Sequence, residues 1–426
     1  MDTDAVPLLP ADRAILDIEC ETIAGHTCKV IRLAPGAPGL DAVRARIAER
    51  ITAVPELTRR LGTEGGRPAW VPAGSFDLDR RVVALAGTPL PPEQVPIAVA
   101  ELFAQRLDRD HPLWQLHVGT LRGGGGVLIW RIHHALADGT AAMRFARGLL
   151  WDEVQRGGAG QVAGTAAAAS SGSSPHPDEA RRHRHLLAVI EREFAESIDR
   201  SPFDGEVGAL RQIAFASVDL APLRDAARSL AGATVNDAVL TVVAGSLRRW
   251  LEQHHGSLRG VRVRVPVSLH AEGDAAANLD SFFSLHLPLG AADPAERLRA
   301  VRAATSRRKE AHDAEELRSL LDELGAVSAR MRALCDRIEA SPRSFALSVS
   351  NVPGPRYPVT LLRAPVEAIH SIAEIGERHA LRIAVVSLAG RLHFGFCADP
   401  SIVGDLDAMA GGVEPEAAAL VEAAGL

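Results

Sequence analysis

The stretch Trp130-Arg-Ile-His-His-Ala-Leu-Ala-Asp-Gly139 decides how the rest of this sequence is interpreted. It begins as an apolar segment of strand character, ends in two adjacent histidines, and continues through a short loop containing Asp138 and Gly139. Successive side chains on a strand point to opposite faces, so His133 and His134 cannot both enter one cavity from an undistorted strand end. We therefore expect one histidine to carry chemistry and the other to support it.

A histidine at such a position has the properties of a general base. Its ordinary pKa of about 6.5 lets the neutral ring accept a proton from a hydroxyl or an amine at cytoplasmic pH. Asp138 would brace the loop through hydrogen bonds or an ion pair, and Gly139 would let the turn close. Two other interpretations are a purely structural pair, as His254-His255 illustrates, and a metal site, which the divergence of adjacent strand residues disfavours.

The flanking sequence predicts a mixed α/β architecture. The glycine run 122–126 connects two segments of strand character, so it predicts a hairpin turn and not a phosphate-binding loop, which would lead into a helix. Strands are also predicted at 81–85, 116–121, 261–267, 344–350, 380–388 and 392–396. Helices are predicted at 41–50, from 234 to beyond 250, and from 294 to 338 with a break near 310–316.

The length of the chain, 426 residues, exceeds that of one ordinary core and suggests two domains. Residues 1–152 form a first domain that carries the two histidines, 153–200 a flexible linker and crossover helix, and 201–426 a second domain. The linker is placed on the Gly-, Ala- and Ser-rich segment 156–177, which has almost no large apolar side chain.

Composition and charge also exclude several classes of function. The 426 residues carry a formal net charge of −6, which argues against a nucleic-acid partner. The four cysteines have neither disulfide-framework nor zinc-site spacing, and a GxSxG nucleophile motif is absent from the sequence. The acidic N-terminus and the lack of a long apolar run predict a cytoplasmic protein whose membrane or lipid-droplet contact, if any, would be peripheral. The sequence does not fix the oligomeric state.

The segment 133–139 matches the HHxxxDG motif of the superfamily that includes chloramphenicol acetyltransferase, carnitine acyltransferases and the condensation domains of peptide synthetases. Further segments, in the same order along the chain, resemble one branch, the bacterial wax ester synthase/diacylglycerol acyltransferase family. They are Leu9-Pro-Ala-Asp-Arg-Ala-Ile-Leu16, Ser75-Phe-Asp-Leu-Asp79, Pro112-Leu-Trp-Gln-Leu-His117, Thr234-Val-Asn-Asp-Ala-Val-Leu240, Val265-Pro-Val-Ser268 and Ser350-Asn-Val-Pro-Gly-Pro355.

This resemblance implies an α/β fold of two chloramphenicol-acetyltransferase-like domains, each a mixed sheet flanked by helices, with an active-site tunnel at their interface. It implies transfer of a fatty acyl group from acyl-CoA to a long-chain alcohol or diacylglycerol, with acyl-CoA as substrate and no cofactor. His134 would deprotonate the acceptor hydroxyl, which attacks the thioester directly. Asp138 would be structural, with Arg264 as a candidate ion-pair partner.

Other residues of the shared segments are candidates for substrate binding. Asn236, Asp237 and Asn351 are candidate substrate or oxyanion contacts, although helix capping beside Thr234 and the turn at 353–355 explain the asparagines slightly better. The segment Pro112, Leu113 and Trp114 is a candidate tunnel lining, or simply core.

The chain departs from the family pattern at two positions. Asn278 lacks the glycine that usually precedes it, and Arg382 stands where the family often has asparagine. The second half is therefore expected to accommodate a different acceptor. The enzymatic alternative is an acyltransferase of the same mechanism that acts on a specialised metabolite or takes its acyl group from a carrier-protein thioester. A non-catalytic acyl-CoA or lipid-binding module is the non-enzymatic alternative, which the retention of both His134 and Asp138 disfavours. The sequence leaves the chain lengths of donor and acceptor open.

Overall fold

The computed structural model describes residues 5–152, 201–256, 258, 261–268, 280–310 and 344–426. The predicted linker and crossover helix, the C-terminal part of the long helix predicted from 294, and Asn278 lie outside the described residues. The described segments alternate between strands and helices, so the predicted mixed α/β class is confirmed.

The strands, in chain order, are β1 Val6–Pro7, β2 His26–Leu33, β3 Arg59–Glu64, β4 Arg67–Pro72, β5 Val82–Ala84, β6 Trp114–Thr120, β7 Gly126–His133, β8 Gln212–Asp219, β9 Arg262–Ser268, β10 Asp280–His286, β11 Leu347–Val352, β12 Thr360–Leu361, β13 Ala364–Ala373, β14 Leu381–Leu388 and β15 Arg391–Ala398. The α-helices are α1 Pro10–Asp17, α2 Leu40–Arg50, α3 Leu78–Arg81, α4 Val95–Phe103, α5 Gly139–Leu149, α6 Leu220–Ala231, α7 Val235–His254, α8 Pro294–Glu310, α9 Leu406–Gly411 and α10 Val413–Ala423.

Two large mixed sheets and one small sheet organise these elements. The first large sheet has the order β12-β13-β2-β7-β6-β5, and the second has the order β10-β9-β11-β14-β15-β8. Strands β1, β4 and β3 form the small sheet. Because β13 pairs antiparallel with β2, the second half of the chain contributes strands to both large sheets.

Local sequence accounts for several of these elements. The predicted glycine hairpin is confirmed: β6 and β7 pair antiparallel out to Thr120 and Gly126, and Gly123 and Gly124 adopt φ of +94° and +90°, which glycine reaches without strain. The helix predicted from residue 234 is confirmed as α7. It begins at a capping box in which Thr234 and Asp237 satisfy each other's backbone N–H groups.

Strand β7 is buried on both faces, which explains its continuous apolar sequence. Leu128, Trp130 and Ile132 pack in a core shared with residues of α2 and α5. On the other face, Val127 and Ile129 join a core formed mainly by the second half of the chain. The motif that follows β7 therefore lies where the two cores meet.

Within the described residues, no single helix combines the length and apolarity that a bilayer span requires, although α6 and α7, bent by 97° at their break, pass that test as a pair on length and composition alone.

Candidate active site

The backbone of the two adjacent histidines is held from two neighbouring strands. His133 is the last residue of β7, pairs with His26 of β2, and donates its N–H to the carbonyl of Leu113 at 2.9 Å. The N–H of His134 donates to the carbonyl of Gly25, also at 2.9 Å. These contacts fix where β7 ends and where the motif loop begins.

The His133 side chain is buried and supports the loop. Its Nδ1 accepts a hydrogen bond from the N–H of Ala135 at 3.0 Å, so the neutral ring carries its proton on Nε2. That Nε2 hydrogen-bonds to Glu19 Oε1, and the second oxygen of Glu19 pairs with Arg109 at 2.7 Å. Burial raises the pKa of Glu19, but the hydrogen bond from His133 and the charge of Arg109 outweigh it and lower that pKa.

His134 as a residue is only partly buried, but its ring lies in surroundings that hold it in the neutral form. Burial, the largest cause, and the positive charge of Arg382 together lower its pKa to about 4, against the opposing effect of the Asp138 carboxylate. At neutral pH the ring is therefore unprotonated, which is the state that a general base requires.

Asp138 is fully buried and caps helix α5. Its Oδ1 accepts the N–H of Ala141 at 2.7 Å, which satisfies one of the unpaired donors of the first helical turn. Its negative charge also acts on His134 and on the buried Lys29. Hydrogen bonding of this kind is one form of the bracing expected from the sequence.

The structure explains glycine at position 139 by a close contact, whereas the sequence suggested that glycine lets the turn close. It is the first residue of α5 and does not adopt a left-handed conformation. A β-carbon there would lie 2.8 Å from Cγ2 of Val352, at the end of β11. The glycine therefore permits close contact between the motif loop and the segment Ser350-Asn-Val-Pro-Gly-Pro355 of the second half.

Comparison with known proteins agrees with this geometry. Residues 8–159 match the wax ester synthase/diacylglycerol acyltransferase catalytic domain, and residues 277–420 match the WS/DGAT C-terminal domain. This chain belongs to the wax ester synthase/diacylglycerol acyltransferase family. The resemblance seen in the sequence is confirmed, and family membership makes the chain an acyltransferase.

Individual relatives support the same assignment. The probable diacylglycerol O-acyltransferase tgs1 of Mycobacterium tuberculosis is 29% identical over 417 residues, covering 90% of this chain and 89% of the relative. The wax ester synthase/diacylglycerol acyltransferase of Marinobacter aquaeolei VT8 superposes with a TM-score of 0.72 at 23% identity, covering 99% of this chain and all of that one. The first condensation domain of the calcium-dependent antibiotic synthetase gives a TM-score of 0.61 at 19% identity, covering 100% and 98%. These similar structures confirm the predicted fold class.

The family segment Pro112-Leu-Trp114 contacts the motif through the hydrogen bond between the N–H of His133 and the carbonyl of Leu113. Leu113 and Trp114 are fully buried, and the indole Nε1 of Trp114 donates to the carbonyl of Leu57 at 2.7 Å. The Trp114 ring packs edge-on against Trp130 at a centroid distance of 6.4 Å. These contacts support the core interpretation for Trp114, while the carbonyl of Leu113 positions His133.

The candidate polar residues of the second half have different environments. Asp237 is buried, and its carboxylate accepts hydrogen bonds from the N–H of Thr234 at 2.8 Å and from the hydroxyl of Thr305 at 2.6 Å. Capping explains Asp237, whereas Asn236 lies partly exposed in the first turn of α7. Asn351 precedes Val352 on β11, which places its backbone close to Gly139. The proposed substrate or oxyanion contacts of these residues stay predictions.

The two arginines noted in the sequence occupy separate places on the second sheet. The guanidinium of Arg264 stacks on the rings of Phe282 and Phe345, at 3.8 and 3.9 Å from their centroids. Its ion pair with Asp138 stays a prediction. Arg382 stands at the position where the family often has asparagine. Its positive charge lowers the pKa of His134.

A buried ion pair, which sequence reasoning missed, anchors the segment that holds His134. Arg211 and Glu374 pair at 2.9 Å, and Glu374 Oε2 accepts the N–H of Ala24, the residue before Gly25. The carbonyl of Glu374 accepts a hydrogen bond from Arg382 at 3.0 Å. Glu374 thus links the segment that contains Gly25 to Arg382, the arginine whose charge lowers the pKa of His134.

Proposed function

We propose that this acyltransferase moves a fatty acyl group from an acyl-CoA thioester to the hydroxyl of a diacylglycerol or a long-chain alcohol, with His134 as the general base. The observation that carries the proposal is the state of His134: the residue keeps partial solvent exposure at the end of β7, and its low pKa keeps the ring neutral. Family membership supplies the reaction class.

The reaction balances with the groups present in the chain and the two substrates. His134 accepts the hydroxyl proton as the acceptor oxygen attacks the thioester carbonyl, forming a tetrahedral oxyanion. The oxyanion collapses, the carbon–sulfur bond breaks, and the departing thiolate takes the proton from the imidazolium. The products are an ester and free coenzyme A, so no cofactor is required.

The environment of His134 suits both halves of this proton transfer. The positive charge of Arg382 disfavours the imidazolium, while the negative charge of Asp138 favours it. Because the two charges oppose each other, the ring accepts a proton during attack and releases it readily to the leaving thiolate.

The position of Arg382 favours one alternative acceptor class. A permanent cation near the base suits an acceptor that carries a polar or anionic group, such as a specialised metabolite, and the same mechanism would apply to it. For a lipid acceptor, we propose that the protein is cytoplasmic and meets the membrane or lipid-droplet surface peripherally.

The test is release of free thiol from palmitoyl-CoA with dioleoylglycerol, with hexadecanol and with no acceptor, followed by mass spectrometry of the ester. We expect thiol release that depends on an acceptor, and its loss in His134→Ala but not in His255→Ala, an exposed histidine of the second pair. Turnover with neither acceptor, despite binding of palmitoyl-CoA, would contradict the lipid assignment and favour another acceptor or a binding module.

A further inference from the structure

Lysine is almost absent from this chain, and one of its lysines is buried. The 47 basic residues include only two lysines, Lys29 and Lys309. Lys29 lies in the middle of β2 with 1% of its surface exposed. An ammonium group loses much of its hydration when buried, which is unfavourable by several kcal/mol unless nearby groups compensate.

The compensating groups come from both halves of the chain. The Nζ of Lys29 donates to the hydroxyl of Ser371, on strand β13, at 2.6 Å. The negative charge of the Asp138 carboxylate, at the N-terminus of α5, favours the charged form of Lys29. Against them, burial lowers the pKa of Lys29 to about 8, so the ammonium persists at neutral pH.

The strand register shows how Lys29 is placed relative to the motif. On β2 it lies directly opposite Trp130 of β7, and directly paired residues share a face of the sheet. Trp130 packs in the core that contains the buried residues of α5, the helix that Asp138 caps. The ammonium therefore lies on the same side of the sheet as the start of α5.

We propose that Lys29 is a positioning residue for acyl transfer: its ammonium, held by Ser371 of the second half, faces the Asp138 carboxylate and fixes the loop that carries His134. The inference deepens the proposed function and rests on His134 as the base. The cationic partner of Asp138 would then be Lys29, a residue of the first half of the chain. Lys29 lies four positions after Gly25, whose carbonyl accepts the N–H of His134.

The kinetic test uses Lys29→Met, which has a similar length and no charge, with Lys309→Met, at an exposed position of α8, as the matched control. We expect Lys29→Met to lower kcat by about 10-fold to 100-fold with little change in the KM for acyl-CoA, because loop placement and not donor binding is affected. Lys29→Arg should recover only part of the loss, because a guanidinium is larger than the buried ammonium that it replaces. Wild-type kcat in a folded Lys29→Met variant would overturn the proposal.

A second measurement separates failure of this inference from failure of the proposed function. With only two lysines, protein labelled with ¹³C-lysine gives a side-chain signal for each, and Lys309→Met assigns them. The Lys29 signal should titrate near pH 8, and Asp138→Asn should shift its midpoint to lower pH because a negative charge is removed. An unshifted midpoint would overturn the proposal whichever acceptor the enzyme uses, and even if Lys29→Met does not fold.

Discussion

Gly139 and Val352 meet at the contact between the two halves of this acyltransferase. A β-carbon on residue 139 would lie 2.8 Å from Cγ2 of Val352, closer than real side chains approach. Gly139 opens the helix capped by Asp138, and Val352 ends the strand that carries Asn351. The packing of Gly139 against Val352 therefore fixes the position of the loop that carries His134 relative to Asn351, the candidate oxyanion contact of the second half.

Replacing Gly139 with alanine should separate the two halves locally. The added methyl group forces Val352 or the start of α5 to move, and overpacking of this kind destabilises by about 1–3 kcal/mol. We expect a lower thermal midpoint and a lower kcat. The double variant Gly139→Ala/Val352→Ala removes the clash and should recover part of both, so two effects that simply add would contradict this explanation.

Removing the charge of Arg382 should raise the pKa of His134. The imidazolium is disfavoured by burial, Arg382 and His133, and favoured by Asp138, so neutralising residue 382 shifts the balance towards the protonated ring. In the wild type, kcat/KM should rise with pH through about 4. In Arg382→Met the same limb should lie at higher pH, with Arg378→Met, a surface ion-pair residue, as control. A limb at the same pH in both variants would show that Arg382 does not act on the base.

Local elements of this fold follow from the sequence, whereas its long-range pairings do not. The glycine hairpin, the start of α7 and the end of β7 depend on residues close together in the chain, and each was predicted. Ser371 contacts Lys29 from 342 positions away, and β13 joins the first sheet although it belongs to the second half. Nothing in local spacing encodes such a pairing.

The site shows the same division. The motif names His133, His134, Asp138 and Gly139, because they form one short segment. Glu19 lies 114 positions before His133, in a region that spacing does not mark. Lys29 could have been recognised as a candidate from the sequence, because a lysine inside an otherwise apolar strand is unusual in a chain with only two lysines.

Glu19 should matter for the stability of the loop more than for the chemistry. Glu19→Gln weakens a charge-assisted hydrogen bond to the buried His133, and such bonds contribute about 1.5–3 kcal/mol. We expect a lower free energy of unfolding in urea and a kcat reduced far less than in His134→Ala, for which general-base loss predicts about 10²-fold to 10⁴-fold. Arg109→Ala, which removes the half-exposed partner of Glu19, should have the smaller effect on stability. An equal loss of kcat in Glu19→Gln and His134→Ala would assign chemistry to His133.

The stability of the wild type relative to Lys29→Met should depend on pH above neutrality. The pKa of Lys29 is lowered by burial from its ordinary value of 10.5 to about 8, so between these values the unfolded chain binds a proton that the folded chain has released. Stability rises with pH wherever the unfolded state holds more protons. The wild type should therefore gain up to about 3 kcal/mol relative to Lys29→Met as pH rises from about 8 to 10.5, and no such gain below pH 8.

Urea unfolding of both variants across this range measures the effect, with Lys309→Met as a control that should follow the wild type. A difference that does not change with pH would mean that the ammonium is hydrated in the folded protein. The expected gain has a consequence for function: at neutral pH the folded chain retains a charge that destabilises it, where a methionine of similar volume has none. Such a group persists in proteins when its charge is used, and the use that we propose here is to position the Asp138 loop.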